Sequence, residues 1–277
     1  DPAPGSGLRN AHLFRWAKAH PTHVNDLLDL TGRRVVVTGG SRGIGAACCR
    51  LFARAGATVC VVYRASDEAA GSVLAELRTL SDRPHCLFRT DHTRPDQVRR
   101  LFDFLAREWG GLDCLVNNAG VWERNPLASL DLELYARAMD TNVLGPFLCA
   151  AAAVPLLEAS DDGNIVNLSS TAGQRGEAFH SPYAASKGAM ISATKAWSSE
   201  LAPRVRVNSV APGWVDTDMA ADALAGPARE AIERTIPRGR VATAEEVAGP
   251  VVFLASTLAR HVTGEILNVN GGAVLVG

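Results

Sequence analysis

The stretch Thr38–Gly45, TGGSRGIG, decides the fold of this sequence. It follows the apolar run Val35–Val37 and opens the segment Gly43–Ala55, which is predicted to be a helix. Glycine destabilises a helix, so glycines gathered at a helix start indicate that something must approach the backbone closely. Arg42 stands inside the turn, and its presence there also needs a reason. The stretch therefore predicts a strand, a tight turn and a helix in succession.

Strands and helices alternate along the rest of the chain. The predicted strands are Val35–Val37, Thr58–Tyr63, His85–Arg89, Leu112–Asn117, Asn164–Ser169, Arg204–Val210 and Ile266–Val269. The predicted helices are Gly43–Ala55, Asp67–Leu80, Pro95–Trp109, Leu130–Glu158, Pro182–Ala202 and Ala244–Ala255. Pro146 and Pro155 are expected to divide or bend the longest of these helices. The alternation predicts a single-domain α/β fold of the Rossmann type, with a doubly wound parallel sheet of about seven strands flanked by helices.

Composition narrows the class of function. The chain has 277 residues, of which 47% are hydrophobic, enough for one large core. Lys and Arg number 28 and Asp and Glu 29, so charge gives no case for binding nucleic acid or an anionic membrane. We find no stretch long enough to span a bilayer and no signal peptide. A cytoplasmic protein is therefore expected.

The cysteines fit neither a disulfide framework nor a metal site. They stand at positions 48, 49, 60, 86, 114 and 149 within apolar runs. Cys-x-x-Cys spacing and an accompanying histidine cluster are both missing from the sequence. Buried reduced thiols and no metal ion are expected.

The glycine turn has the features of a phosphate-binding loop. Gly39 allows an unusual backbone angle, while Gly43 and Gly45 allow a pyrophosphate and the neighbouring strand to approach. Free N–H groups at the start of the following helix would face the phosphates. The spacing differs from G-x-G-x-x-G, and the Gly-Lys-Ser/Thr of a P-loop does not follow. Nucleotide binding is the favoured interpretation, and a merely tight turn is the alternative.

Five motifs then occur in an order typical of one family. They are TGGSRGIG at 38–45, NNAG at 117–120, YAASK at 183–187, APG at 211–213 and TGEILNVNGG at 263–272. In order and approximate spacing they resemble the short-chain dehydrogenase/reductase family, and more narrowly its classical reductases typified by 3-oxoacyl-(acyl carrier protein) reductase. The resemblance covers about residues 30–277. We therefore predict a dinucleotide-binding catalytic domain over 31–277, preceded by an N-terminal extension over 1–30 in which 12–30 form a helix packed on the outside.

Tyr183 and Lys187 are the predicted centre of the chemistry. Four residues apart on a predicted helix, they lie on one face. A phenol of pKa ~10 is a poor acid at neutral pH, and an adjacent ammonium would bring its proton into a useful range. The resemblance adds Ser170, which would bind the substrate oxygen, with Ser169 as its nearest alternative. It also adds Asn142, which would hold a water in a proton relay from Lys187. A surface tyrosine and a solvated lysine are the alternative.

Two arginines predict the cofactor. After the second strand, enzymes that use NAD place an acid for the ribose hydroxyls. Here Tyr63 and Arg64 stand there, and no carboxylate occurs before Asp67. Arg42 and Arg64 would form a fork suited to a dianionic 2′-phosphate. The prediction is NADP(H), and two solvated surface arginines are the alternative.

The resemblance implies further cofactor contacts. Asp91 would contact the adenine, and Ile44 would pack beneath the nicotinamide end. The full predicted cofactor-binding set is Gly39, Ser41, Arg42, Gly43, Ile44, Gly45, Arg64, Asp91, Asn117, Ala119, Gly120, Pro212, Gly213 and Thr217.

These residues predict an NADP(H)-dependent oxidoreductase that reduces the ketone of a small organic substrate to a secondary alcohol, with Tyr183 as proton donor. The alternatives are a NAD-preferring alcohol or sugar dehydrogenase, a 3-oxoacyl-carrier-protein reductase and a non-catalytic NADP-binding regulator. The segments QRGEAFH at 174–180 and WVDTDM at 214–219 are the candidate pocket walls. The candidate substrate residues are Trp122, Phe179, His180 and Trp214, with core, interface or surface roles as the alternative.

Partners follow from the same resemblance. It implies a homo-oligomer, a tetramer, whose dimer faces are the helices carrying Asn142 and Tyr183. Reductases that dock acidic carrier proteins need a basic surface near the active site. Just before the strand that leads to the predicted catalytic serine, this chain instead has Glu158, Asp161 and Asp162. A free small molecule, or one on a small carrier, is therefore the expected substrate.

Overall fold

The computed structural model describes residues 28–276. The strands are β1 (Arg34–Thr38), β2 (Thr58–Tyr63), β3 (Cys86–Arg89), β4 (Cys114–Asn117), β5 (Gly163–Leu168), β6 (Val205–Pro212) and β7 (Ile266–Val269). The α-helices are α1 (Gly43–Arg54), α2 (Asp67–Leu80), α3 (Pro95–Trp109), α4 (Leu132–Met139), α5 (Gly145–Glu158), α6 (Thr171–Arg175), α7 (Ser181–Glu200), α8 (Pro227–Glu233) and α9 (Ala244–Ala255). Almost all of the predicted N-terminal extension, and of its helix, lies outside the described residues.

The strands form one parallel sheet in the order β3-β2-β1-β4-β5-β6-β7. Val36 of β1 pairs with Cys60 of β2 on one side and with Leu115 of β4 on the other. Strands β2 and β3 follow β1 on one side of the sheet. The chain then returns to the other side of β1, where β4 to β7 follow in order. Such a switch point opens a crevice at the carboxyl ends of the strands. The predicted doubly wound parallel sheet is confirmed.

Alternation along the strands builds a core on each face of the sheet. Val35 and Val37 of β1 face the layer of helices α1, α2 and α9, where Phe52 is fully buried. Val36, between them, faces the opposite layer, which contains α3 and α5. Because both faces are covered, the strands need apolar residues at consecutive positions. This explains why the central strands appear in the sequence as unbroken apolar runs.

The long helix predicted over Leu130–Glu158 is divided, but not at its prolines. The segment Asp140–Leu144 is π-helical and separates α4 from α5. Pro146 lies in the first turn of α5, where a missing N–H costs nothing, and Pro155 lies within the helix. Single π-helical turns are frequent at functional sites. Here the π turn carries the predicted site residue Asn142.

The same helical run corrects an expectation about membranes. Leu132–Glu158 spans 27 residues and is long and apolar enough to cross a bilayer by length and composition. The expectation that no stretch meets this criterion is therefore wrong. In the fold, 44% of its most apolar window is buried, and α5 packs against α3 and three strands of the sheet. Part of the apolar surface of the run is therefore buried against the sheet, and part of it is exposed.

The packed core begins slightly before the predicted domain boundary at residue 31. Leu30 is 2% exposed and packs among the residues of the α1 face. Its backbone N–H donates to the Ala55 carbonyl at 2.7 Å.

All six cysteines are free thiols, and five of them are buried. The cysteines therefore serve as packing residues, as expected from their apolar surroundings.

Candidate active site

A cavity of about 390 Å³ lies at the carboxyl edge of the sheet, over the switch point. Arg42 and Arg64 line one end, and Tyr183 and Trp214 line the other. The predicted site residues that line it are Gly39, Ser41, Arg42, Gly43, Ile44, Arg64, Ala119, Gly120, Trp122, Ser170, Tyr183, Lys187, Pro212, Gly213, Trp214 and Thr217. The predicted site residues that do not are Gly45, Asp91, Asn117, Asn142, Phe179 and His180.

The glycine turn is shaped by its own packing as much as by a ligand. Gly39 and Gly43 have φ values of +65° and +52°, which favour glycine. A Cβ on Gly45 would lie 2.2 Å from the Gly39 carbonyl oxygen. Gly45 is therefore required by the turn folding onto itself, and its expected approach to a pyrophosphate is not its primary constraint. Arg42, at the helix N-cap, makes no side-chain capping bond, which leaves the first N–H groups of α1 available to an anion.

The two predicted arginines lie at the same end of the cavity. Arg42 donates from Nη2 to the hydroxyl of Ser66, which also lines the cavity. Arg42 and Arg64 are both exposed there. Asp67, the first acid after β2, is 3.4 Å from Arg89 and is not a lining residue. Among the described residues that line this end, the charged groups are two guanidinium groups.

Tyr183 and Lys187 converge as their spacing predicts. Both lie on α7, and the Lys187 Nζ is 5.8 Å from the centroid of the Tyr183 ring. Lys187 is buried, and its Nζ donates to the Leu168 carbonyl at the end of β5 at 2.8 Å. This bond fixes the ammonium at the cavity wall beside Tyr183.

Burial sets the protonation of both groups. It raises the pKa of Tyr183 to about 12, against the opposite effect of a hydrogen bond with Ser170. It lowers the pKa of Lys187 to about 8. Burial therefore outweighs any lowering of the tyrosine pKa by the Lys187 ammonium, whose Nζ is bound to the Leu168 carbonyl. At neutral pH the Tyr183 phenol retains its proton.

The two candidate serines are distinguished by their partners. Ser169 is tied into the sheet: its hydroxyl donates to the Val210 carbonyl at 3.1 Å and accepts from Ser209 at 2.8 Å. Ser170 caps α6 by accepting from the Ala172 N–H at 3.1 Å, and its hydroxyl bonds Tyr183. A substrate oxygen near Tyr183 would therefore meet Ser170, which favours it over Ser169.

Asn142 lies behind the cavity wall. Its Nδ2 donates to the Val121 carbonyl and to the Ser186 hydroxyl, both at 3.0 Å, and its Oδ1 accepts from the Val121 N–H at 2.8 Å. These bonds join the π turn to the loop that follows β4 and to α7. Gly120 lies between Asn142 and Lys187, where a Cβ would be 3.2 Å from the amide oxygen and 3.5 Å from Nζ. Asn142 thus fixes the backbone beside Lys187.

Other predicted residues turn away from the cavity. Asn117 donates to Asn167 at 2.9 Å within the sheet, because its side chain points into the core from the end of β4. Asp91 accepts from Thr93 in a local turn. Phe179 is exposed with a left-handed φ of +65° and lies under Arg124. These three side chains, and that of His180 stacked on Trp122, lie outside the cavity lining.

The far end of the cavity is aromatic and acidic. The rings of Trp122 and Trp214 meet at 88°, with centroids 5.8 Å apart. His180 stacks on Trp122 at 4.5 Å. Trp122 Nε1–H donates to the two carboxylate oxygens of Glu177 at 3.2 and 3.3 Å. Glu177 lines the cavity next to this corner.

Several lining residues were not among the predicted site residues. They are Ser66, Thr90, His92, Asn118, Val121, Thr171, Arg175, Glu177, Asp218 and Met219, with others. Arg175, Glu177, Asp218 and Met219 belong to the two segments singled out as pocket walls, but nothing in those segments marked which side chains turn inward. His92 packs against the π turn, where its Nε2 bonds the Thr141 carbonyl at 2.9 Å.

The acids that were expected to repel an acidic carrier protein do not lie beside the cavity. Asp162 is ion-paired with Arg33 at 2.9 Å and with Arg206 at 3.1 Å, and its side chain is 10% exposed. It precedes β5, at the amino edge of the sheet, whereas the cavity lies at the carboxyl edge. Within one subunit, these acids therefore do not border the cavity, and the argument drawn from them does not hold there.

This fold, with a tyrosine and a buried lysine on one helix at the switch point, defines a nucleotide-dependent oxidoreductase class. A family model described as enoyl-(acyl carrier protein) reductase matches residues 39–274. The chain belongs to the short-chain dehydrogenase/reductase family of oxidoreductases. The predicted family is confirmed.

The names of its relatives give different substrates. The 3-oxoacyl-(acyl-carrier-protein) reductase of Thermotoga maritima is 37% identical over 89% of this chain and 99% of its own length. The cis-4-hydroxycyclohexanecarboxylate dehydrogenase of Sinomonas cyclohexanicum is 40% identical over 88% of this chain and 97% of its own. A crystal structure of a short-chain dehydrogenase from Burkholderia cenocepacia in complex with NADP matches with a TM-score of 0.84 and 36% identity, over 88% and 99% of the two chains.

Proposed function

We propose that this protein is an NADP(H)-dependent ketoreductase that converts a small organic ketone into a secondary alcohol. One observation carries the proposal. A single cavity brings two arginines at one end together with a protonated tyrosine, a serine and a buried lysine at the other. Its relatives include a 3-oxoacyl reductase and an NADP-bound dehydrogenase.

The residues present fit the cofactor. The uncapped N-terminus of α1, with no acid in its first turn, suits a pyrophosphate. Arg42 and Arg64 suit a 2′-phosphate, and Ser66 adds a hydroxyl at the same place. Pro212, Gly213 and Thr217 also line the cavity, and they would hold the nicotinamide. When bound, the reduced cofactor supplies a hydride to the carbonyl carbon.

The chain's own residues supply the proton and its setting. Tyr183 keeps its proton at neutral pH because burial raises its pKa to about 12. It would donate that proton to the substrate oxygen as negative charge develops there. Ser170, which lies beside the phenol, would turn its hydroxyl hydrogen to the same substrate oxygen. Lys187, held by the Leu168 carbonyl, places a positive charge beneath the phenol that stabilises it once the proton has left.

A carrier-linked substrate is the second candidate. The identity to 3-oxoacyl-(acyl-carrier-protein) reductases favours it. The cyclic substrate in the name of the Sinomonas relative favours a free small molecule instead. The aromatic corner of Trp122 and Trp214 narrows the far end of the cavity, which we take to favour a compact substrate over a long acyl chain.

We also propose a homotetrameric assembly of the domain 31–277, preceded by an extension over 1–30, and a cytoplasmic location. Phe147 of α5 is 42% exposed although its ring packs on Trp197 of α7 at 4.8 Å. Leu144 beside it is also exposed. An apolar patch on these two helices supports an interface between copies. Light scattering at working concentration tests the assembly, and a stable monomer would contradict it.

The test of the function is a panel of ketones and β-keto thioesters assayed with NADPH and with NADH. We expect turnover of at least one small ketone, with a higher kcat/KM for NADPH than for NADH. The same β-keto group offered free, as a small thioester and on carrier protein separates the two candidate substrates. Turnover only on carrier protein would favour the second candidate, and equal use of NADH would contradict the cofactor assignment.

A further inference from the structure

Among the described residues, no lysine or arginine forms an ion pair with Glu177, the acid at the substrate end of the cavity. The Glu177 side chain is 23% exposed, and its Oε1 is 3.7 Å from the His180 Nδ1. Arg175 also lines the cavity and attracts the carboxylate from a longer distance. Burial raises the pKa of Glu177 more than His180, the bond from Trp122 and Arg175 lower it, so its negative charge is costly as the fold stands. A further cation in the cavity would offset that cost.

The walls beside Glu177 also favour a cation. Trp122 and Trp214 meet at 88° and form a corner open to the cavity. Indole faces attract ammonium groups, and the attraction grows where water is excluded. The bond from Trp122 Nε1–H fixes the carboxylate against this corner. Aromatic walls with an acid beside them are a recurrent way to bind alkylated ammonium groups.

The position of Glu177 links such a cation to the chemistry. The pKa of Tyr183 is raised first by burial and additionally by the negative charge of Glu177. The carboxylate therefore lies close enough to the proton donor to oppose its ionisation. An ammonium bound at Glu177 would neutralise that effect and make the proton easier to transfer.

We propose that the substrate is a ketone that carries a protonated amine, and that Glu177 with the indole rings of Trp122 and Trp214 binds its ammonium group. This inference rests on the proposed ketoreductase function and names its substrate class. It assigns to Glu177 the selection of cationic over neutral and anionic ketones.

Three ketones that share one methyl ketone arm test the selection. They are 4-(dimethylamino)butan-2-one, 5-methylhexan-2-one and 4-oxopentanoate, which end in a cation, a neutral isostere and an anion. We expect kcat/KM with NADPH to favour the amine over the neutral isostere by at least about tenfold. The ratio should fall to about one in E177Q. Glu123→Gln is the matched control, because Glu123 is also 23% exposed, follows Trp122 and does not line the cavity.

A wild-type ratio near one, a ratio that persists in E177Q, or a preference for 4-oxopentanoate would overturn the inference. The last result would assign Arg175 to a substrate carboxylate instead.

A binding measurement separates this inference from the proposed function. Choline and 3,3-dimethylbutan-1-ol have the same shape and differ in charge. We expect choline to quench tryptophan fluorescence with a Kd at least about tenfold lower, and E177Q to remove the difference while Glu123→Gln keeps it. If no ketone or β-keto thioester of the wider panel is reduced either, the proposed function fails and this titration alone decides. Equal binding of the two alcohols would then overturn the ammonium site.

Discussion

The two ends of the cavity are built on different principles. At the cofactor end, the backbone itself is the surface, and Gly39, Gly43 and Gly45 are held by positive φ angles or by contacts that exclude a side chain. At the substrate end, the surface is made of large side chains from two loops, and Trp122 and Trp214 meet only because the fold brings those loops together. The cofactor end therefore tolerates few residue types, whereas the substrate end admits many.

The largest effect should come from filling the glycine turn. Gly45→Ala places a Cβ 2.2 Å from the Gly39 carbonyl oxygen, and backbone atoms cannot move aside cheaply. We expect a loss of about 3 kcal/mol in the free energy of unfolding and NADPH binding weaker by at least about tenfold. Urea unfolding and a cofactor titration measure both.

Gly71→Ala is the control for that substitution. Gly71 lies in α2, where nothing stands within 4 Å of an added Cβ. Alanine should stabilise the helix there by about 0.5–1 kcal/mol. If Gly45→Ala unfolded at the same urea concentration as Gly71→Ala, the packing account of the turn would be wrong.

Lys187 is buried beside Tyr183 on α7, and its charge should cost stability. Its pKa is 10.5 in an unfolded chain and about 8 in the fold. Below pH ~8 the lysine is charged in both states, and the lowered pKa corresponds to about 3 kcal/mol of destabilisation. Lys187→Met removes that cost and loses the bond to Leu168, worth about 1 kcal/mol, so it should stabilise the fold by about 2 kcal/mol at neutral pH.

The pH dependence identifies the cause. As pH rises from about 8 to 10.5, the wild-type lysine loses its proton in the folded state first, so wild-type stability rises relative to Lys187→Met. Urea unfolding at neutral pH and near the upper end of that range measures the difference. A variant less stable than wild type at neutral pH would show that the carbonyl bond outweighs burial.

A substitution at Arg64 should change the preference for NADPH over NADH, and we expect this effect to be smaller than those at Gly45 and Lys187. Arg64→Asp replaces a phosphate-binding cation with an acid that suits ribose hydroxyls. We expect the ratio of the NADH Kd to the NADPH Kd to fall by about tenfold or more. Arg99→Asp, at an exposed position on α3, should leave the ratio unchanged. An unchanged ratio in Arg64→Asp would remove the two-arginine argument.

The smallest effect should come from the substrate end. Trp122→Phe removes the N–H that fixes Glu177 and keeps an aromatic ring. The KM of the best ketone should rise by about threefold, with NADPH affinity and unfolding free energy unchanged. A change in NADPH affinity of similar size would show that the two ends are not separable.

Side chains placed by local spacing are easier to predict from the sequence than side chains placed by loops. The turn Thr38–Gly45 and the pair Tyr183 and Lys187 depend on local spacing, which a sequence displays directly. Glu177 depends on a loop conformation and on contact with Trp122, 55 residues away. Asn117 and Asn142 were assigned by motif, yet their side chains point behind the cavity, because hydrogen bonds to Asn167 and Ser186 hold them there.

The division of the longest predicted helix shows the same limit of prediction from local sequence. Prolines are visible in a sequence, and the predicted helix Leu130–Glu158 was expected to be divided or bent at them. It occurs at the π turn Asp140–Leu144, which no proline marks. The buried His92, bonded to the Thr141 carbonyl and packed against Gly145, stabilises the turn from a distant strand end. Such tertiary contacts override local propensity.

The central claim is that the Tyr183 hydroxyl delivers the proton in an NADPH-dependent reduction. Single-turnover reduction of the best ketone by Tyr183→Phe, alongside NADPH binding by fluorescence, tests it most directly. We predict a rate about a thousandfold below wild type with NADPH affinity within about twofold, because only the proton donor is lost. Tyr135→Phe, at an exposed tyrosine on α4, should match wild type. A Tyr183→Phe rate within about tenfold of wild type would contradict the account.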